Sequence, residues 1–284
     1  MRPVRTGVGL LVLLCTSLGP VEAQRRVSPL AQVLLALDSL TWIGGHLVYG
    51  YRLVNGQDSK GGVAAFTLDL SAPTGTGFLT LPSTGRFVHG AGVHGAKGLH
   101  DHVPVGPISP TNWEAFLLAN GWLDWYGARG GLSGQYDSIA PHDSLAGFGV
   151  RSPFLPGIRQ FSARPTFASC CTTLRPPNQS SEPEYPNPSE FRVTGWTVGP
   201  TIPPEKMTVR VLAALLDRVC GKLGWISSMG ACQALRVKLT SASQRVQLSA
   251  FLAELEAQHG PGKDVNDNAY WLLKVNGEYV LAHM

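Results

Sequence analysis

The apolar residues change their spacing once along this chain, and the change divides it in two. In the first two thirds they alternate with polar ones over short stretches: Leu47, Tyr49, Tyr51 and Leu53 in one, Phe66, Leu68 and Leu70 in another. A period of two places alternate side chains on one face of a β-strand. After Met207 they recur every three or four residues, as in Leu212, Leu215, Leu216 and Val219, or Leu248, Phe251, Leu252 and Leu255. That is the stripe of an amphipathic helix. The expectation is a mixed, multidomain chain: an all-β sandwich over 36–200, then a small all-α helical bundle over 205–284.

Within the first part, 47–54 and 63–70 read as a hairpin with a long connection. A second hairpin joins 113–119 to 122–126 through Asn120-Gly121, a pair that accepts the positive φ angles of a tight turn. Residues 144–150 form a further strand and 191–198 a last one. The 33 glycines and 21 prolines suit the many turns such a module needs. Residues 174–190, LRPPNQSSEPEYPNPSE, are too rich in proline and polar residues to pack, and read as a loop or linker. A second break, VGPTIPPEK, precedes the helices. Two more helical stripes follow, Leu235, Leu239 and Ala242, then Leu272, Leu273 and Val280, making four helices. Their apolar stripes carry no inward polar ligands, so they read as core and no cofactor is expected.

The first 23 residues resemble an export signal. Arg2 and Arg5 precede the apolar run Gly9 to Leu14, and Val21-Glu22-Ala23 supplies small residues for cleavage. Export, cleavage near Ala23 and a mature chain from Gln24 are expected. Cys15 inside the apolar run suggests lipidation, but Leu14 stands where a small residue is wanted. No later segment is apolar for the ~20 residues a membrane helix takes. Removing the leader leaves 21 basic and 18 acidic residues with no basic cluster, so nucleic acid is excluded as a partner. The place of action is then outside the cytoplasm: secreted, periplasmic or at the cell envelope.

Four cysteines remain in the mature chain. Cys220 and Cys232, twelve apart at facing ends of two helical stripes, suit a disulfide worth ~3 kcal/mol on the chain-entropy argument. Cys170 and Cys171 are adjacent and could bond each other, stay free or pair outside the chain.

Candidate chemistry is thin. His89, His94, His100 and His102 fall within HGAGVHGAKGLHDH, and an extended backbone would turn His100 and His102 to one side, as a zinc site needs. The glycine-rich surroundings suit a solvated loop better. Asp137 and Asp143 could pair as glycosidase carboxylates, although isolated surface acids are commoner. Asp264 to Ala269 mimics the start of a calcium loop but lacks its glycine and its final glutamate; capping by Asn266 or Asp267 explains it more simply. Asn178-Gln179-Ser180 matches a glycosylation acceptor. GGLSGQ around Ser133 lacks the last glycine of a nucleophile elbow, and no phosphate-binding or metalloprotease motif occurs. No catalytic residue is assigned. Trp113, Trp122, Trp125 and Tyr126 are candidates for a ligand-facing strip, although such aromatics more often fill a core.

Two resemblances accompany these readings. LVYGYRLVNGQDSKGGVAAFTLDL (47–70), with SIAPHDSLAGFGVRSPFLPG (138–157) downstream, is similar to uncharacterised β-sandwich modules of secreted bacterial proteins. LGWIS, LRVKL, LSAFLAELEAQHG and NDNAYWLLKVNGEYVL, between Leu223 and Leu281, resemble the FIMAH-type C-terminal helical domain of secreted bacterial proteins. These resemblances imply a secreted accessory protein without catalytic residues. The expected function is extracellular binding or structure, with a protein or glycan as partner. The rival is a metal-dependent hydrolase built on the His89–His102 loop.

Overall fold

The structure is a computed structural model that describes residues 32–71, 106–118, 121–127, 129–130, 135–166, 192–240 and 245–284. The expected export signal, Cys15, the histidine loop, Ser133, Cys170, Cys171, Asn178 and the proline-rich stretch 174–190 lie outside the described residues.

The first part is mostly β and forms two antiparallel sheets. One runs β1 (Val33–Ile43), β2 (His46–Asn55), β9 (Ser144–Ser152), β4 (Gly106–Ile108). The other runs β11 (Val193–Ile202), β10 (Leu155–Thr166), β3 (Gly62–Asp69), β6 (Trp122–Gly127), β5 (Trp113–Leu117). A short ribbon pairs β7 (Arg129–Gly130) with β8 (Gln135–Tyr136). Four helices close the chain: α1 (Val209–Cys220), α2 (Met229–Thr240), α3 (Arg245–Ala257) and α4 (Asp267–Ala282).

Alternation in β2 buries Leu47, Tyr49, Tyr51 and Leu53 together, as their spacing requires. The expected hairpin between 47–54 and 63–70 does not form. β2 pairs with β1 and β9, whereas β3 pairs with β10 and β6, so the chain changes sheets at 56–61. Buried Asn55 holds that crossing, its Nδ2 donating to Gly61 O at 2.9 Å and Ile139 O at 3.0 Å. The second hairpin does form between β5 and β6. Leu118 N donates to Trp122 O at 2.7 Å and Gly121 N to Leu118 O at 3.0 Å, while Ala119 and Asn120 lie outside the described residues. Gly121 takes φ +81°, the left-handed position of such loops.

Aromatic rings join the two sheets. Phe148 of β9 meets Phe66 of β3 edge-on at 4.8 Å and Trp113 of β5 at 4.9 Å, while Phe66 stacks on Trp125 at 4.7 Å. Trp125 Nε1 donates to Ile108 O at 2.9 Å, which satisfies a buried indole.

One apolar cluster runs through both sheets and all four helices. The stripe residues Leu212, Leu215, Leu216, Val219, Leu235, Leu239, Leu248, Phe251, Leu255, Leu272, Leu273 and Val280 are buried in it; Ala242 lies outside the described residues. α4 packs on β1, β10 and β11. Both β1 and β11 are edge strands, and a helix laid over such an edge occupies its unpaired backbone groups. Asn268 Oδ1 accepts from Leu37 N of β1 at 2.8 Å, and Asn276 Nδ2 donates to Pro156 O of β10 at 2.8 Å.

Cys220 and Cys232 lie at bonding distance, with S–S 2.08 Å, and tie the end of α1 to the start of α2. Replacing both by alanine is expected to lower stability by ~2–3 kcal/mol in urea titrations, with reductant lowering only the wild-type chain. Equal midpoints for the two chains would contradict a stabilising bond.

Candidate functional site

The five-stranded sheet has two faces of opposite character. Phe66, Leu68, Leu123, Trp125 and Phe161 turn to the other sheet, so their strand neighbours must turn away. Register then stacks those neighbours into rows. The central row is Thr194, Ser162, Thr67, Asp124 and Phe116, taken from β11, β10, β3, β6 and β5. Beside it run Arg164, Ala65, Tyr126 and Glu114. On the other flank Trp196 stands opposite Gln160, and Trp122 opposite Asp69. Arg192, next before β11, continues the parity of Thr194 and Trp196.

This face combines burial with unmet hydrogen-bonding capacity. Asp124 and Ser162 are each 1% exposed, and Thr67 and Gln160 5%. Tyr126 OH donates to Asp124 Oδ2 at 2.5 Å. Asp124 Oδ1, Ser162 Oγ and Arg192 Nε are buried with no partner. A buried, unsatisfied polar atom costs ~1–3 kcal/mol, so three on one face point to something that completes them. The Arg164 guanidinium stands 5.3 Å from the Tyr126 ring centre. Burial and the bond to Asp124 push the Tyr126 phenol up to about 12, which keeps it a donor at neutral pH. Burial, then the neighbouring Arg164 charge, pull the Arg192 guanidinium down; Asp124 and Tyr126 pull it back. Trp122, Trp196 and Tyr126 remain partly open.

The expected aromatic strip is therefore corrected. Trp113 and Trp125 are core residues facing the other sheet, because in WLDWYG Trp125 has the parity of Leu123. Trp122 and Tyr126 share the opposite parity with Asp124. Trp196 takes the place on this face that Trp113 and Trp125 do not.

The acids of 264–267 hold separate partners. Asn266 caps α4, its Oδ1 accepting from Ala269 N at 2.9 Å, while Asp264 Oδ1 accepts from Ser227 Oγ and Asp267 Oδ1 meets His259 Nε2. These acids serve different partners, as capping rather than calcium binding requires. Asp143 Oδ1 accepts from Ser144 N at the entry to β9. Among the described residues no three His, Cys, Asp or Glu side chains converge as metal ligands.

A second polar group joins α3 to α4. Lys274 Nζ donates to Tyr270 OH at 2.6 Å, Tyr270 OH to Glu256 Oε2 at 2.8 Å, and His259 stacks on the Tyr270 ring at 3.7 Å. Burial raises the Tyr270 phenol, and the bond to Tyr270 raises the Lys274 ammonium. Both stay protonated at neutral pH, so neither is an activated base. The cluster fastens two helices.

No family model matches the chain, and no curated protein matches it. Its own residues carry the functional reading.

Proposed function

We propose that this chain is a secreted, non-enzymatic extracellular binding protein whose ligand, a glycan, lies on the polar face of the five-stranded sheet. Its two sheets form a β-sandwich and its helices a FIMAH-like bundle that braces the sandwich edge. The observation that carries the reading is the buried row Ser162, Thr67 and Asp124, in which Ser162 Oγ and Asp124 Oδ1 have no partner, between aromatic side chains on either flank. Flat sheet faces that offer hydrogen-bonding groups beside partly open indoles suit sugars, whose rings present hydroxyls at the edge and C–H groups on the face. The export signal and the bonded cysteine pair fit the same place of action.

A glycan array probed with the purified mature chain tests this. Wild type is expected to bind a restricted set of glycans, and Trp122→Ala and Trp196→Ala to lose that binding by about tenfold or more each, with melting temperatures near wild type. Phe116→Ala, at the edge strand, is expected to change it less. A blank array, or binding unchanged in both tryptophan variants, contradicts the reading. So does turnover of a glycan by the purified protein that disappears on chelation, which would favour the histidine-loop hydrolase.

A further inference from the structure

We infer that the occupant of this face is an acidic saccharide, its carboxylate held at Arg164 and Arg192 and its hydroxyls completing Asp124 and Ser162. The inference rests on the binding reading above and names the ligand class.

Three atoms define what the face lacks. Asp124 Oδ1 is an acceptor without a donor, Ser162 Oγ is a hydroxyl without either, and Arg192 Nε is a donor without an acceptor. A neutral sugar serves the first two and leaves the guanidinium unmatched. An inorganic anion serves the guanidinium and leaves Asp124 Oδ1 without a donor. A sugar acid offers a carboxylate and several hydroxyls on one ring, so it serves all three. Neighbouring strands lie about 4.8 Å apart, so Ser162 and Asp124, two strands apart, are separated by about 10 Å, within the reach of a disaccharide.

The charges agree. Arg164 and Arg192 come at the same end of neighbouring strands, and after burial the Arg164 charge is the next cause that lowers the Arg192 guanidinium. Among the described residues, no ion pair joins either arginine to Asp124, whose other oxygen is taken by Tyr126. Glu114, in the Arg164 row, lies three strands from it, about 14 Å, too far to neutralise it. Asp69 is occupied by the amide and hydroxyl of Ser71. Arg164 also bonds the Tyr126 hydroxyl, and among the described residues neither guanidinium is ion-paired to a carboxylate, so the two suit recognition of one. The unpartnered atoms are closed to water, so a ligand that reaches them meets little competing solvent. Trp122 and Trp196 flank the opposite row and are partly open.

The test is calorimetric titration of the full mature chain with oligogalacturonate, its methyl ester and poly-glutamate. Oligogalacturonate is expected to bind, with the ester and poly-glutamate each weaker by about tenfold or more. Arg192→Gln is expected to lose about tenfold for the acid and nothing for the ester, and Arg192→Lys to recover part of the loss. Rising salt should weaken the acid alone. If Arg192→Gln fails to melt near wild type, Arg164→Gln answers the same question. Equal affinity for acid and ester overturns the acidic class and leaves the glycan reading standing. Equal affinity for poly-glutamate overturns the saccharide. Silence towards all three titrants, with neutral glycans still captured on the array, overturns the inference alone; silence with a blank array overturns the reading beneath it.

Discussion

Arg159→Ala is expected to destabilise the protein by ~3–5 kcal/mol, read from urea unfolding midpoints. Arg159 sits on the face of β10 that carries Phe161 and is 3% exposed. Its Nε and Nη2 both donate to Pro200 O, at 3.0 and 2.8 Å, and its Nη1 to Ser71 O at 2.7 Å. Those carbonyls belong to β11 on one side of β10 and, on the other, to Ser71, two residues past the end of β3. One guanidinium therefore ties three strands. Burial pulls it down to about 10, and Asp69, Tyr51 and Tyr49 pull it back up, so it remains charged at neutral pH. The alanine variant empties a volume beside Tyr51 and Gly199 and orphans the buried Pro200 carbonyl and the half-buried Ser71 carbonyl. Arg159→Met keeps an apolar stem and removes the charge, so its loss is smaller, ~1–3 kcal/mol, the cost of the orphaned carbonyls alone. An alanine variant within ~1 kcal/mol of wild type would show that the cross-strand tie contributes little.

Asn276→Ala is expected to cost ~2–4 kcal/mol and to change how the chain unfolds. Asn276 is fully buried on α4, and its Nδ2 donates both to Pro156 O of β10 and to Leu272 O one turn back. Asn268, two turns earlier, accepts at its Oδ1 from Leu37 N of β1. The pair joins helix to strand where apolar packing alone would allow sliding. In Asn268→Ala/Asn276→Ala, helix signal by circular dichroism and core tryptophan fluorescence should stop melting together, the helices first. In wild type the two signals should coincide, as they must for one cooperative unit. Coincident melting in the double variant would show that the apolar cluster alone couples the two parts.

The helices are legible in the sequence because their stripes answer to local periodicity, and all four lie near where the spacing puts them. The strands are legible only where alternation is unbroken, as in β2. β1 is hidden because a bulge between Leu37 and Ser39 shifts Leu40 out of phase with Leu35 and Leu37. β10, a central strand, is masked by Pro156 and Pro165, which read as turns; both stand where the register shifts, the places at which a sheet tolerates proline. Pro200 misleads in the same way, ending the expected last strand early, yet β11 is an edge strand and continues to Ile202. The change of sheet at 56–61 has no local signal, because Tyr51 and Phe66 are equally apolar whichever neighbours they find. Half of the candidate site is within reach of the sequence: parity in WLDWYG is enough to separate Trp122, Asp124 and Tyr126 from Leu123 and Trp125. Ser162, Arg164 and Trp196 join them only through strand pairing, which no single stretch of sequence contains.

The most direct test of the account is amide chemical-shift mapping of the isotope-labelled mature chain titrated with oligogalacturonate. Saturable shifts centred on Thr67, Asp124, Ser162, Arg164 and Trp196, with the helices unmoved, are the predicted result. Shifts centred on the helices, or on the hairpin between β1 and β2, would contradict it.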